Sequence, residues 1–135
     1  MLKTICYKST ARNNLSILDI EKLFLETKKT NDENKISGVL VKRSDTFFQI
    51  LEGSAEYLDL LFAKIEKDRR HSNIKTLLNT PISSLSFTNF EAGYCIIQEA
   101  SSLFDLQNYL SKLESSNQNI SIFLQNIESL LDEDE

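Results

Sequence analysis

Residues 47–53 constrain the fold most, because they place one carboxamide inside an otherwise apolar, aromatic-rich run. Such a run predicts a buried strand, with Phe47, Gln49 and Leu51 on one face and Phe48 on the other. An unpaired carboxamide is costly in a strand interior, so the two donors and the acceptor of Gln49 need polar partners. Either another part of the protein or a bound small molecule must supply them.

Composition narrows the classes of protein that need to be considered. The 135 residues suffice for one core, and 41% hydrophobic with 26% charged residues is typical of a globular domain. A net charge of −5 argues against nucleic acid or an anionic membrane surface as a partner. The chain lacks a membrane-length apolar run and a signal-peptide core, so we expect a cytoplasmic protein. Cys6 and Cys95 are expected to be reduced hydrophobic residues.

Hydrophobic periodicity predicts an α+β fold with the order β-α-β-β-α-β-β. This is a ferredoxin-like five-stranded sheet with two helices on one face, followed by two C-terminal helices. We expect strands at 2–8, 36–41 and 47–51, helices at 17–30 and 55–69, and weaker strands at 74–78 and 87–97 on either side of Pro81. Ser102 is expected to cap the first C-terminal helix. We therefore divide the chain into a domain of residues 1–97 and a helical extension of residues 98–135 with an acidic end.

The sequence offers little for an enzymatic site. With one His, it has neither a metal cluster nor a conventional Ser-His-Asp arrangement, and three glycines leave no phosphate-binding loop. We therefore expect no enzymatic activity. The remaining candidates are polar residues at positions where the pattern expects core: Tyr7, Asn31, Gln49, Lys64 and Asp68. Singly, each has an ordinary structural explanation, such as a helix cap for Asn31 or an i,i+4 ion pair for Lys64 and Asp68.

Together, these residues indicate one site. The predicted topology places the first strand beside the strand that leads into the second helix, so Tyr7 and Gln49 become neighbours on the helix-covered face. Asn31 would close one end of the groove between the helices, and Lys64 with Asp68 would close the other. A flat heteroaromatic ring with amide-like edges, such as a flavin, would satisfy all of these groups.

Five segments within residues 2–95 strengthen this interpretation. They are Leu2…Ile5-Cys6-Tyr7-Lys8-Ser9, Leu15-Ser16…Asp19-Ile20, Asn31…Ile36-Ser37-Gly38-Val39-Leu40, Phe47-Phe48-Gln49-Ile50-Leu51-Glu52-Gly53 and Ile65…Asp68…Arg70-His71. In order and spacing, the segments resemble the BLUF family of short blue-light sensors that use FAD. The resemblance implies a five-stranded α+β sheet with the flavin ring held between the two helices.

The resemblance also implies roles for individual residues. Tyr7 would be the photochemical electron donor and Gln49 the hydrogen-bond switch, while Asn31 would bind the pyrimidine edge of the ring. The other implied ring contacts are Thr27, Lys64, Asp68, Leu23, Phe24 and Ile65. FAD is the implied cofactor, and FMN is an alternative because these residues meet the ring rather than the adenine.

The residue types suit that photochemistry. An excited flavin would take an electron, and then a proton, from the phenol of Tyr7, and both would return. The carboxamide of Gln49 can rotate or tautomerise during this cycle and come to rest with a donor facing the flavin C4 carbonyl. The strengthened hydrogen bond would give a small red shift of the flavin absorption that decays thermally.

Three departures from the family pattern concern the ring contact and the signal output. Lys64 stands where the family often has Arg, and a lysine lacks the planar bidentate fork. Phe90 and Ala92 replace a Trp and a Met that take part in signal relay. The segment Ser83-Ser84-Leu85-Ser86 replaces a basic run. We expect flavin binding to survive these changes and the output route and recovery rate to differ.

The resemblance implies signalling through an unidentified downstream protein or between the subunits of a homo-oligomer. Two other classes stay open at this stage. The first is an interaction scaffold that has lost flavin photochemistry and no longer responds to light. The second is a flavin-dependent redox enzyme, for which the sequence offers no nicotinamide site.

Overall fold

The computed structural model describes residues 1–90 and 94–132, with only the backbone of Ser116. The strands are β1 (Leu2–Ala11), β2 (Ser37–Arg43), β3 (Thr46–Ser54), β4 (His71–Ile82) and β5 (Tyr94–Ile97), and the helices are α1 (Ile17–Glu33), α2 (Ala55–Lys67), α3 (Ala100–Ser111) and α4 (Asn119–Leu131), with a 3-10 turn at Glu114–Ser116. The sheet order is β4-β1-β3-β2-β5. The first four strands pair antiparallel, and β5 adds to the edge parallel to β2. The predicted α+β fold is confirmed.

The sheet separates two apolar layers, as the alternation within β3 predicted. The layer beneath α1 and α2, which we call the groove face, includes Ile5, Tyr7, Leu40, Phe47 and Leu51. The opposite C-terminal face includes Cys6, Val39, Val41, Phe48 and Ile50. Seven apolar residues of α3 and α4 cover the C-terminal face, all fully buried: Leu103, Leu106, Leu110, Ile120, Phe123, Ile127 and Leu130. The extension after residue 97 therefore supplies half of one core, and the boundary there stays a prediction.

Several predicted boundaries were wrong. We expected Pro81 to separate two strands, but β4 continues through it to Ile82. This is possible because β4 is an edge strand, where a missing N–H is tolerated. Within the predicted strand 87–97, residues 88–90 make a turn instead, closed by a hydrogen bond from the Phe90 N–H to the Phe87 carbonyl, and the described strand is Tyr94–Ile97.

The helix ends also differ in part from prediction. The capping box of α1 is present as expected, with Ser16 and Asp19 exchanging hydrogen bonds of 3.1 and 3.0 Å. The end of α1 lies one turn later than residue 30, where Asn34 donates to the Thr30 carbonyl at 2.8 Å. The second helix ends at Lys67 rather than at residue 69. The N-cap of α3 is Glu99 rather than Ser102.

Other features of the chain agree with the composition. Cys6 is buried, Cys95 is half-buried, and neither is part of a disulfide. None of the described helices combines the length and apolar character needed to cross a bilayer.

A buried carboxyl group lies among the polar atoms of the C-terminal face. Glu52 on β3 is 1% exposed, and its Oε1 accepts a 2.6 Å hydrogen bond from the Ser86 N–H. Thr4 and Ser37 stand opposite Glu52 in the register, and among the described residues their buried hydroxyls have no hydrogen-bond partner. Burial raises the pKa of Glu52 from an ordinary 4.5 to about 7, partly opposed by the bond from Ser86.

This raised pKa predicts that the protein becomes less stable as the pH rises towards 7. Between about pH 4.5 and 7 the folded protein holds a proton on Glu52 that the unfolded chain has released, so the free energy of unfolding decreases as the pH rises. The expected loss is up to about 3 kcal/mol. Urea titrations at several pH values should show this loss for the wild type and a profile without it for Glu52→Gln, which keeps the acceptor for Ser86. Parallel profiles would contradict the prediction.

Candidate functional site

A groove between α1 and α2 opens onto the groove face of the sheet. Its apolar lining comes from both helices and from the sheet: Leu23, Leu40, Phe47, Leu61 and Ile65. Its polar lining includes Tyr7, Thr27, Asn31, Gln49, Lys64, Asp68, Arg70 and His71. Eight of the predicted site residues therefore line one groove, namely Tyr7, Leu23, Thr27, Asn31, Gln49, Lys64, Ile65 and Asp68.

Two other predicted residues, Phe24 and Phe90, do not line it. Phe24 is buried in the core beneath the groove, and its contact with a bound ring stays a prediction. Phe90 packs against the C-terminal face, where its ring centroid is 5.2 Å from that of Tyr109. Ala92 lies outside the described residues.

Tyr7 and Gln49 face each other across β1 and β3, as the predicted topology required. They are register partners, and the Tyr7 hydroxyl donates to Gln49 Oε1 at 2.5 Å. Both side chains are at least 96% buried. Burial raises the pKa of Tyr7 well above its ordinary value, and the charge of Asp68 adds to the shift. The phenol is therefore neutral at physiological pH, with its proton directed at the carboxamide.

The opposite end of the carboxamide is held by a residue that sequence reasoning missed. Gln49 Nε2 donates to the hydroxyl of Tyr94, which is fully buried. Burial raises the pKa of this hydroxyl, and the side chain of Asn31 partly opposes that shift. Tyr94 reaches Gln49 across β2, where its register partner is Gly38, a residue without a side chain. The Gly38–Tyr94 pairing is the signal for this contact, and it becomes visible only once β5 is known to pair with β2.

Asn31 lies in the last turn of α1 and is 2% exposed. Its carbonyl accepts the Ile36 N–H at 2.9 Å, which joins the end of the helix to the start of β2. The backbone of Asn31 is therefore fixed at the junction between α1 and β2. The alternative that this residue only caps the helix is wrong, because the C-cap is Asn34.

The other end of the groove is closed by charged residues near the end of α2. Asp68 pairs with Arg70 at 2.7 Å rather than with Lys64, so the i,i+4 ion pair considered from the sequence is wrong. The hydrogen bonds from Arg70 lower the pKa of Asp68. Arg70 also pairs with Glu26 of α1 at 3.1 Å and so links α1 to the segment that follows α2. Lys64 is exposed on the groove wall.

His71 is a second lining residue, besides Arg70, to which the sequence assigned no role. Its ring nitrogens form 2.7 Å hydrogen bonds with Ser9 Oγ and with the Ile65 carbonyl. The ring lies edge-on to that of Tyr7, with centroids 6.1 Å apart. Both Arg70 and His71 stand in the last of the five resembling segments, which was the available signal.

The chemistry of the lining fits a flavin ring. Apolar side chains of both helices and the sheet line the groove, as is usual for a site that binds an aromatic ligand. Carboxamides at Asn31 and Gln49, the Thr27 hydroxyl and the Lys64 ammonium supply donors, and the pyrimidine edge of a flavin carries two carbonyl acceptors. The same carboxamides supply acceptors for its N–H.

Comparisons with known proteins agree with this site. The model of the BLUF family, "Sensors of blue-light using FAD", matches residues 2–93. The ground-state structure of BlsA is 31% identical, with a TM-score of 0.70 and coverage of 100% of this chain and 91% of that one. The antirepressor BluF of Escherichia coli K12 is 33% identical over 78 residues, which are 58% of this chain and 19% of BluF.

A third relative is larger still. The photoactivated adenylate cyclase subunit beta of Euglena gracilis is 49% identical over 51 residues, which are 38% of this chain and 6% of that protein. The chain thus spans less than a fifth of the length of these two curated relatives. The family match covers more than half of the chain and includes Tyr7, Asn31 and Gln49. The chain therefore belongs to the BLUF family, the sensors of blue light that use FAD.

Proposed function

We propose that this protein is a blue-light photoreceptor that binds FAD in the groove and signals through protein–protein contacts. The observation that carries the proposal is the buried 2.5 Å hydrogen bond from Tyr7 to Gln49 on the groove floor. An oxidisable phenol and a reorientable carboxamide share one proton path there, beside apolar walls that suit an aromatic ring.

A bound flavin supplies a strong oxidant when excited and a carbonyl acceptor at C4. Tyr7 would donate an electron, and its proton would move along the short bond to Gln49. Both would return to Tyr7, so the phenol would be restored. The lasting change would be in the Gln49 carboxamide, whose amide group would then be available to donate to the flavin. In a buried site such an added hydrogen bond is electrostatically stronger than in water, which would shift the absorption band.

The remaining lining residues are proposed to bind and orient the ring. Asn31 would hold the pyrimidine edge, and the polar groups of Thr27, Lys64 and Asp68 would assist it. Leu23, Ile65 and the deeper Phe24 would pack against the ring faces. An exposed lysine at 64 offers charge without a planar fork, which suits a looser contact than arginine gives.

FAD is proposed as the cofactor rather than FMN because the family description names FAD. One structure of BlrP1 from Klebsiella pneumoniae, 28% identical with a TM-score of 0.68, is described with FMN, so that protein accepts the shorter cofactor. Mass spectrometry of the cofactor released from purified protein decides between them.

The output is proposed to be non-enzymatic and to pass through residues 98–135. BluF is named an antirepressor, a role that acts through another protein. Phe90, in the turn at residues 88–90, packs on Tyr109 of α3, which offers a contact between that turn and the extension. A relay through Phe90 and Ala92, a homo-oligomer and a cytoplasmic location stay predictions.

An absorption spectrum recorded before and after blue illumination tests the proposal. Protein purified in the dark should show a flavin band that shifts slightly to the red and recovers in darkness without added reductant. Colourless protein would favour the light-insensitive scaffold instead. A yellow protein that bleaches on addition of NAD(P)H, and does not shift in light, would favour a redox enzyme.

A further inference from the structure

The carboxamide of Gln49 lies between two phenols. Tyr7 of β1 donates to its oxygen, and Tyr94 of β5 accepts from its nitrogen. All three side chains are at least 96% buried. A buried carboxamide needs a partner at both ends, because an unpaired end would carry a desolvation penalty.

A phenol suits this position because it can donate and accept. With Gln49 as it stands, its nitrogen donates to the Tyr94 oxygen. When Gln49 turns over, its oxygen faces Tyr94, and the phenol hydrogen can donate to it. Tyr94 thus has a partner in both orientations, and the second engages its hydrogen, which among the described residues donates no hydrogen bond in the first.

The backbone of Tyr94 links this contact to α1. Its N–H donates to Asp32 Oδ1 at 2.8 Å, and its carbonyl accepts from Lys28 Nζ at 2.6 Å. Lys28 and Asp32 are themselves an ion pair at 3.1 Å, one turn apart on α1. The first residue of β5 is therefore bound through its side chain to the photoactive pair and through its main chain to the helix that carries Asn31.

We propose that Tyr94 is a positioning residue that holds the Gln49 carboxamide in both orientations, favours the light-induced one, and couples its reorientation to β5. The inference rests on the proposed photoreceptor function. It differs from the relay expected at Phe90 and Ala92, because Tyr94 contacts the switch directly. From β5 the chain enters α3 within three residues, so a displacement of Tyr94 reaches the C-terminal helices by the shortest covalent route.

The lifetime of the red-shifted state in Tyr94→Phe tests this inference. The variant keeps the ring and loses the hydroxyl, so the light-induced orientation loses its hydrogen-bond donor. The flavin should be retained, and dark recovery should be roughly tenfold faster, as expected for one hydrogen bond. The light-minus-dark infrared band of the flavin C4 carbonyl should also change, which a merely structural substitution would not cause.

Tyr109→Phe is a matched control. It also removes a phenol hydroxyl, one that donates to the Ser86 carbonyl at 2.5 Å, but it lies on the C-terminal side of the sheet. Its recovery rate should stay within about twofold of the wild type, given the typical scatter of remote substitutions.

A second variant keeps the experiment decisive if Tyr94→Phe does not fold. Site-specific 3-fluorotyrosine at position 94 preserves the shape and makes the phenol a stronger donor and a weaker acceptor. The red-shifted state should then live longer, and 3-fluorotyrosine at position 109 should have no effect. An unchanged lifetime in Tyr94→Phe, or with 3-fluorotyrosine at 94, would overturn the inference. A wild-type protein without a red shift would overturn the proposed function instead.

Discussion

Gln49→Leu should retain the yellow pigment and lose the light-induced red shift completely. Leucine fills a similar volume, so the apolar walls that would hold the ring are unchanged. It has no donor to present to the ring carbonyl in any orientation, and the Tyr7 proton has no acceptor. Spectra before and after blue illumination measure the effect directly, and a normal red shift in this variant would show that the assigned switch is wrong.

Two further variants test whether the loss of the red shift comes from the Tyr7–Gln49 pair. Tyr7→Phe removes the phenol that donates to Gln49 and should also abolish the shift while keeping flavin. Tyr57→Phe removes a phenol on α2 that packs in the same layer and, among the described residues, makes no hydrogen bond to Gln49, and it should photocycle as the wild type does.

Gln49→Leu also leaves the Tyr7 and Tyr94 hydroxyls without their amide partner, which should lower its free energy of unfolding by about 1–3 kcal/mol.

The parts of this site that follow from local pattern were predictable. Strict alternation assigned Phe47, Gln49 and Leu51 to the groove face, and the split β-α-β topology brought Tyr7 opposite Gln49. The first follows from the two-residue repeat of side chains along a strand, and the second follows from the rules for connections between strands. Both can be applied to a single sequence. The same is true of the capping box at Ser16, a contact between residues three apart.

Tyr94 was not predictable in this way, because its contact depends on a register between distant strands. The weak strand pattern over residues 87–97 did not show that Tyr94 pairs with Gly38, nor that β5 runs parallel to β2. The partner of Asp68 illustrates a second limit. Lys64 and Arg70 both lie within reach along the chain, and only the fold shows that the guanidinium takes the carboxylate and bridges to α1.

Gly38→Ala should destabilise the fold severely, because the backbone at Gly38, between β3 and β5, has no room for a Cβ atom. Its φ of +132° is one that residues with a Cβ rarely adopt. A Cβ built there would lie 2.0 Å from the Ile50 carbonyl oxygen, a backbone atom of β3 that cannot move without breaking the ladder. Strain and overlap together should cost more than about 4 kcal/mol, a large part of the stability of an ordinary domain.

Gly53→Ala is the matched control for this substitution. A Cβ at Gly53 would approach the terminal Cδ1 methyl of Ile36 at 2.6 Å, and that methyl can rotate away. The expected cost is about 1–3 kcal/mol of overpacking, which leaves a folded protein. Urea unfolding followed by circular dichroism, together with flavin retention, compares the two variants. A free energy of unfolding for Gly38→Ala within about 1 kcal/mol of the wild-type value would show that β2 does not require glycine there. The pairing that brings Tyr94 to Gln49 would then be looser than the register indicates.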